Sequence, residues 1–312
     1  MSSTVHDPHQ ISEPHVTEVS EGIFAYIQPD GSWWINNTGF LTGRRGVVSI
    51  DSCSTELRTR RYIDAITRVS AQPVRTVINT HHHGDHTNGN YLFHTATVVG
   101  HERSRDAVLA TGLPNYRGVW NDIAWGDLEL SPPFLTYSDR ITVWADEVRC
   151  EVSHVGIPAH TTNDSIIWIP ERSVLFSGDL LFNGGTPFLL MGSIAGAITA
   201  VTNLLDLGAA TIVPGHGEVT GPDVIDDVLG YLHFVQALAR QGVDAALTPL
   251  QAARECDLGP YSELLDAERI VGNLHRAYSE LRGEPLGAPI DVAAALTDMV
   301  EFNGGQPLSC LA

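Results

Sequence analysis

The chain has 312 residues, 43% of them hydrophobic, and its eighteen basic against thirty-seven acidic residues give a net charge of −19. That charge repels polynucleotides and anionic membranes at long range, and no Lys/Arg-rich patch offsets it, so neither is expected as a partner. The N-terminus lacks a basic segment followed by an apolar one, and no apolar run approaches the roughly 18 to 20 residues of a membrane span, so the expected location is cytoplasmic.

Residues 1–15 carry His6, His9 and His15 in a polar, proline-containing stretch expected to be a flexible leader. From Val16 to Asp51 short apolar runs at 22–27, 38–42 and 46–51 alternate with turn residues, which suits an antiparallel start to a sheet. Between the first two runs, residues 28–37 read as a hairpin tip with adjacent Trp33 and Trp34. Rings of successive strand residues face opposite ways, so one of the two is placed to reach over a pocket as a flap. Asp51 ends its run among apolar neighbours, where a carboxylate is costly unless hydrogen-bonded. Capping the helix expected over Glu56–Ser70 is one role for it.

The run Val74–Asn79 alternates like a half-buried strand and leads into Thr80-His81-His82-His83-Gly84-Asp85-His86. Four histidines and an aspartate in seven residues read as a metal-binding turn. Strand alternation projects His81 and His83 to one side and His82 to the other. Gly84 lets the backbone turn, bringing Asp85 and His86 round from the segment that follows. Imidazole nitrogens suit zinc and other borderline divalent metals, and a carboxylate can complete or bridge such a site.

A strand at 95–100 and a helix at 102–111 are expected next. The irregular stretch from Leu113 to Tyr137, with Tyr116, Trp120 and Trp125, is read as a pocket wall or partner surface. Strand-like runs resume at 140–144, 148–152, 165–169 and 173–176. His160, Asp179 and His216 each follow an apolar run, as ligands mounted at strand ends should. The glycine-broken apolar stretch Leu181–Ser193 carries Phe188 and Met191, candidate residues of a hydrophobic substrate wall. Helical periodicity appears at 223–241, 249–256, 261–282 and 292–300, a C-terminal region read as shaping the pocket mouth or a dimer interface. His101 and His154 are read as core or surface histidines. Cys53, Cys150, Cys256 and Cys310 are too scattered for a disulfide framework or a paired-cysteine metal site and are expected to be buried thiols.

The order His-x-His-x-Asp-His from His81 to His86, followed by His160, Asp179 and His216, resembles the signature of the metallo-β-lactamase-fold superfamily. The resemblance runs from about Val16 to Gly221. It implies an αββα four-layer sandwich with the metal site along one edge: a catalytic domain over 16–221, with a helical C-terminal extension over 222–312 packed on it. It also implies that His81, His83 and His160 hold one metal, Asp85, His86 and His216 a second, and Asp179 bridges them with a hydroxide. Asp51 would support the histidine turn from behind. The implied cofactors are two divalent metal ions, zinc first, with iron or manganese as alternatives. A metal lowers the pKa of its bound water to about 7, so a hydroxide nucleophile is available at neutral pH, with Asp85 and Asp179 as the catalytic carboxylates.

One large group of true zinc β-lactamases places cysteine where Asp179 stands. The resemblance is therefore to the glyoxalase II, lactonase and thioesterase branches. It implies a binuclear hydrolase of a small-molecule acyl substrate, an ester, thioester or lactone. Three alternatives stay open: β-lactam hydrolysis, an iron-dependent oxygenase or metal-dependent lyase or cyclase on the same scaffold, and a non-catalytic metal-binding protein. A homo-oligomer is also open. No flavodoxin-like continuation follows residue 221, which argues against an electron-transferring diiron oxidase, and there is no large inserted domain of the nuclease kind.

Overall fold

Alternation of apolar side chains sorts the strands of this protein into two stacked sheets, with both faces of the central strands buried. The structure is a computed structural model and describes residues 12–312; the expected leader lies largely outside the described residues. The first sheet contains β1 (His15–Ser20), β2 (Ile23–Ile27), β3 (Thr38–Gly43), β4 (Gly46–Ile50), β5 (Val74–Ile78), β6 (Thr97–His101) and β7 (Leu135–Tyr137), side by side in chain order. Pairing is antiparallel from β1 to β4 and parallel from β4 to β7. β8 (Arg140–Ala145), β9 (Val148–His154), β10 (Ser165–Ile169), β11 (Val174–Phe182) and β12 (Thr211–His216) form the second, in the order β12-β11-β10-β9-β8.

Successive strand residues point to opposite faces. In β2, Ile23, Ala25 and Ile27 face the space between the sheets, while Tyr26 faces α1 (Glu56–Val69) through Tyr62, Ala65 and Ile66. In β10, Ile167 and Ile169 face the first sheet, whereas Ile166 and Trp168 face outward into the C-terminal helices. The sheets approach closely at Gly39, where an added Cβ would lie 2.2 Å from the Phe176 ring.

Helices cover the outer faces, giving the four layers implied by the resemblance. α1 covers the first sheet. α2 (Gly84–Thr87) is a single turn, and α3 (Glu102–Thr111) packs beside β6 and β7. On the second sheet lie α4 (Ile194–Leu204) and α5 (Asp223–Asp244). α6 (Pro249–Glu255), α7 (Arg269–Leu281) and α8 (Val292–Phe302) pack over them, in one apolar cluster with the sheet's outer face. Among the described residues no helix is long and apolar enough to cross a membrane.

Several local expectations need correction. α7 starts at Arg269 rather than Tyr261: Gly259 and Asp266 take positive φ, 53° and 57°, and break the run into a short 3-10 turn and a loop. α4 escaped the sequence reading, although it buries one face through Ile194, Ala197, Val201 and Leu204 and exposes Thr199, Thr202 and Asn203 on the other. The N-cap of α1 is Thr55, which accepts from Arg58 N, so Asp51 does not cap it. Residues 28–37 form no free hairpin tip; Trp33 and Trp34 are both buried beneath the C-terminal helices. Of the four free thiols, Cys53 and Cys150 are buried, and Cys256 and Cys310 are partly exposed.

Candidate metal centre

Strand β5 stops at Ile78, so the histidines sit on a bend and not on the strand itself. What shapes the bend is Asp51. Its Oδ1 accepts from Thr80 N (2.8 Å), and its Oδ2 accepts from Thr80 Oγ1 (2.7 Å) and pairs with His86 Nδ1 (2.8 Å). Asp51 is buried and has φ 59°, a conformation in which aspartate is tolerated. The buried carboxylate thus ties the end of β4 to both ends of the histidine turn.

Two groups of donor atoms result. His81, His83, His160 and Asp179 each offer an atom within 4.8 Å of the others, and so do Asp85, His86, Asp179 and His216, with Asp179 common to both. His160 Nε2 approaches His83 Nδ1 (2.8 Å) and Asp179 Oδ2 (3.3 Å). His216 Nε2 lies 3.4 Å from Oδ2 of both Asp85 and Asp179, and His86 Nε2 lies 3.0 Å from Asp179 Oδ1. Asp179 reaches the centre from inside β11, not from a strand end, and His216 is the last residue of β12. Gly215 makes room for this carboxylate, since a Cβ there would sit 1.9 Å from Asp179 Oδ1.

The far side of three more of these rings is held by neighbours, whereas His83 Nε2 has no partner. His81 Nδ1 meets Thr80 Oγ1 (3.0 Å), His160 Nδ1 meets the Phe188 carbonyl, and His216 Nδ1 meets the Gly31 carbonyl (3.0 Å). His216 also stacks on Phe182, 4.9 Å between centroids and 4° between planes. The loop carrying His160 is braced by Asp164, which accepts from Thr161 N and Oγ1. Neither the Phe188 nor the Gly31 carbonyl was detectable from sequence, because backbone acceptors carry no residue-type signal.

Protein groups alone do not satisfy this cluster. Nε2 of His81 is buried without a hydrogen-bond partner, and His86 Nε2 and Asp179 Oδ1, though 3.0 Å apart, are not aligned as a hydrogen bond, an arrangement native interiors rarely tolerate. Burial drives His81 and His83 well below the ordinary imidazole range, which keeps them neutral, the form that ligates. For His86, burial is outweighed by the carboxylates of Asp179, Asp51 and Asp85, which hold it well above that range. His216 is raised to about 9 against burial, by Asp179 and Asp85. Asp179 is held well below the carboxylate range by His86, His216 and His160, again against burial. A nitrogen- and oxygen-rich donor set with orphaned, inward-facing atoms fits borderline divalent cations.

His82 belongs to neither group. It pairs with Asn163 (3.0 Å) and lines the adjoining cavity. His101 and His154 stack on each other at 4.1 Å and join neither group.

The cavity above the cluster measures about 330 Å³. Trp33, Trp34, Phe188 and Met191 all line it, as do Tyr116 and Trp120 from the irregular stretch. The two tryptophans form a fixed wall, not a flap. Trp33 Nε1 donates to Glu268 Oε1 (2.6 Å), and its ring meets Trp120 and Phe188 edge-on at 5.1 and 4.9 Å. Trp125 packs on Trp34 instead of lining the space. Arg269, Val292 and Leu296 complete the wall from α7 and α8, and sequence reasoning did not single them out.

With the ligand order, the two-sheet sandwich and the buried donor groups in view, comparison with known proteins is decisive on one point. Residues 31–216, more than half of the chain, match the profile of the Metallo-beta-lactamase superfamily. The chain belongs to this superfamily.

Within the superfamily, the chain is 32% identical over 148 residues to a hydroxyacylglutathione hydrolase of Rhodospirillum rubrum; the match covers 47% of this chain and 50% of that relative, so it spans only half the relative's length. It is 23% identical over 224 residues to a metallo-beta-lactamase type 2 of Bacteroides fragilis, covering 68% of this chain and 82% of that one. A solved metallo-beta-lactamase of Pontibacter korlensis superposes with a TM-score of 0.60 at 19% identity, covering 71% of this chain and 99% of its own. That likeness speaks for the fold alone.

Proposed function

We propose that this superfamily member is a binuclear, zinc-dependent hydrolase that cleaves a small ester, thioester or lactone. The observation that carries the reading is the pair of donor groups sharing Asp179 at the base of a largely apolar cavity. His81, His83 and His160 would hold one metal and Asp85, His86 and His216 the other, with Asp179 between them. Metals there would supply Lewis acidity and a water acidified towards neutral pH. Asp51, Thr80 and the Phe188 and Gly31 carbonyls fix the ring orientations of the ligands, so little reorganisation is left to the reaction. The apolar wall excludes bulk water, which strengthens every charge interaction inside.

Residues 16–221 are read as the catalytic unit, with 222–312 packed on it and contributing to the wall. Similarity to hydroxyacylglutathione hydrolases supports acyl hydrolysis as the reaction class.

The test is metal content combined with turnover. Protein reconstituted with zinc is expected to hold two equivalents and to hydrolyse members of an ester, thioester and lactone panel. Asp85→Ala is expected to hold one equivalent by elemental analysis, and a variant still holding two would sink the ligand assignment. Activity appearing with iron and oxygen but not with zinc would favour an oxygenase instead.

A further inference from the structure

The cavity wall differs from what a charged carrier molecule would require. All eighteen basic residues of the chain are arginine, and among those lining the cavity Arg269 alone is cationic at neutral pH apart from the histidine cluster. Both terminal nitrogens of its guanidinium are already committed, while Nε is buried without a partner. Nη2 lies 2.7 Å from Asp266 Oδ2, Nη1 donates to the Thr186 carbonyl (2.9 Å), and the planar group lies 4.1 Å over the Trp33 ring. The residue is 1% exposed. Arg269 is thus a clamp holding α7, the 186 loop and Trp33 together, its charge matched within the protein.

What the cavity does present is aromatic surface. Trp33, Trp34, Tyr116, Trp120, Phe182 and Phe188 all line it, with Leu296 among the aliphatic residues beside them. The edge-on packing of Trp33 on Trp120 and Phe188, together with its bond to Glu268, holds the wall in place before any ligand arrives. A rigid aromatic wall favours flat or apolar bodies at low ordering cost. Glutathione carries two carboxylates, and the donors left without a partner on the lining residues outside the histidine cluster, Trp34 Nε1, Trp120 Nε1 and Arg269 Nε, are single N–H groups with no uncommitted cationic side chain among them to receive a carboxylate.

We infer that the cavity takes a compact, uncharged acyl compound with an aromatic or apolar body, and discriminates against the same acyl group carried on glutathione. The inference rests on the hydrolase reading for the word acyl, but its shape and charge argument concerns binding. The closing experiment therefore measures binding and turnover separately.

Binding is read by quenching of intrinsic tryptophan fluorescence in the zinc-loaded full chain. The two probes are unreactive thioethers with the same benzyl body: S-benzyl-N-acetylcysteamine, which is neutral, and S-benzylglutathione. The neutral thioether is expected to half-saturate at a concentration at least about tenfold lower. Equal or tighter binding of S-benzylglutathione overturns the inference, and so does failure of both to bind. Turnover of phenylacetyl-N-acetylcysteamine against phenylacetylglutathione then gives a second ratio, expected to favour the neutral thioester by about tenfold or more in kcat/KM. A protein that hydrolyses both but prefers the glutathione thioester leaves the hydrolase reading standing and removes the inference. A protein that binds the neutral thioether selectively but turns over neither thioester keeps the inference about the cavity and removes the hydrolase reading. Met191→Arg, which adds a cation to the wall, is expected to move the binding ratio towards S-benzylglutathione by about tenfold. An unchanged ratio in a variant that still holds two zinc ions would show that charge is not the discriminating feature, and would overturn it.

Discussion

The ligand cradle and the wall above it are built on opposite principles. In the cradle, seven polar side chains converge, and their positions are enforced by directional partners: Asp51 on His86, Thr80 on His81, and two backbone carbonyls on His160 and His216. In the wall, aromatic and aliphatic groups from four separate stretches meet by shape. Arg269 in the wall and Glu268 behind it are spent on holding Trp33. The difference teaches that removing a cradle residue should change whether the site holds metal at all, whereas altering the wall should change what is bound.

The most damaging way to test this division is His160→Ala. It removes the ligand that approaches His83 at 2.8 Å and Asp179 at 3.3 Å, and hydrolytic turnover is expected to vanish while far-ultraviolet circular dichroism keeps its helical signal. An active variant would dissolve the distinction at its strongest point. Asp51→Asn is a step milder, since the ligands stay but the carboxylate behind His86 loses its charge. Metal affinity is expected to fall by about 10- to 100-fold, read by competition with a chelator.

The wall's buried ion pair offers the smallest effect, and one in stability. Burial lifts Asp266 from 3.8 to about 6 despite Arg269 beside it. Between those values the folded state holds a proton that the unfolded state has lost, so this group's contribution is full at low pH and is lost as pH rises through about 6. The difference is at most about 3 kcal/mol, less whatever water penetration screens. Asp266→Asn should abolish that part of the pH dependence, measured as denaturation midpoints of both proteins from about pH 4 to 7. Parallel profiles for the two proteins would mean that Asp266 is not the titrating group, while metal binding should be nearly unaffected.

Legibility in the sequence followed the same division. Strands β2, β3, β4 and β10 could be read because residues facing two different cores alternate at period two, and α1, α3 and α5 because one stripe of each is apolar. The broken start of α7 could not, since it depends on backbone angles at Gly259 and Asp266. At the site, the spacing from His81 to His86 and the order of His160, Asp179 and His216 were visible in the chain itself. The bend that carries them was misjudged as a strand end, because the competing acceptor, Asp51, comes from a strand twenty-nine residues away in sequence from Thr80.

By itself, then, the amino-acid order determined the superfamily, the sandwich and which polar residues are candidates for a metal. Those features are written in residue types at short spacings, where backbone geometry leaves few alternatives. Only tertiary structure decided that both tryptophans form a fixed wall, that Arg269 is spent on Asp266 and Trp33, and that Leu296 from α8 faces the cavity. The contacts of Trp33 with Glu268 and Arg269 join residues more than two hundred positions apart, and whether a buried charge stacks on such a ring depends on neighbours in space, which no local pattern encodes.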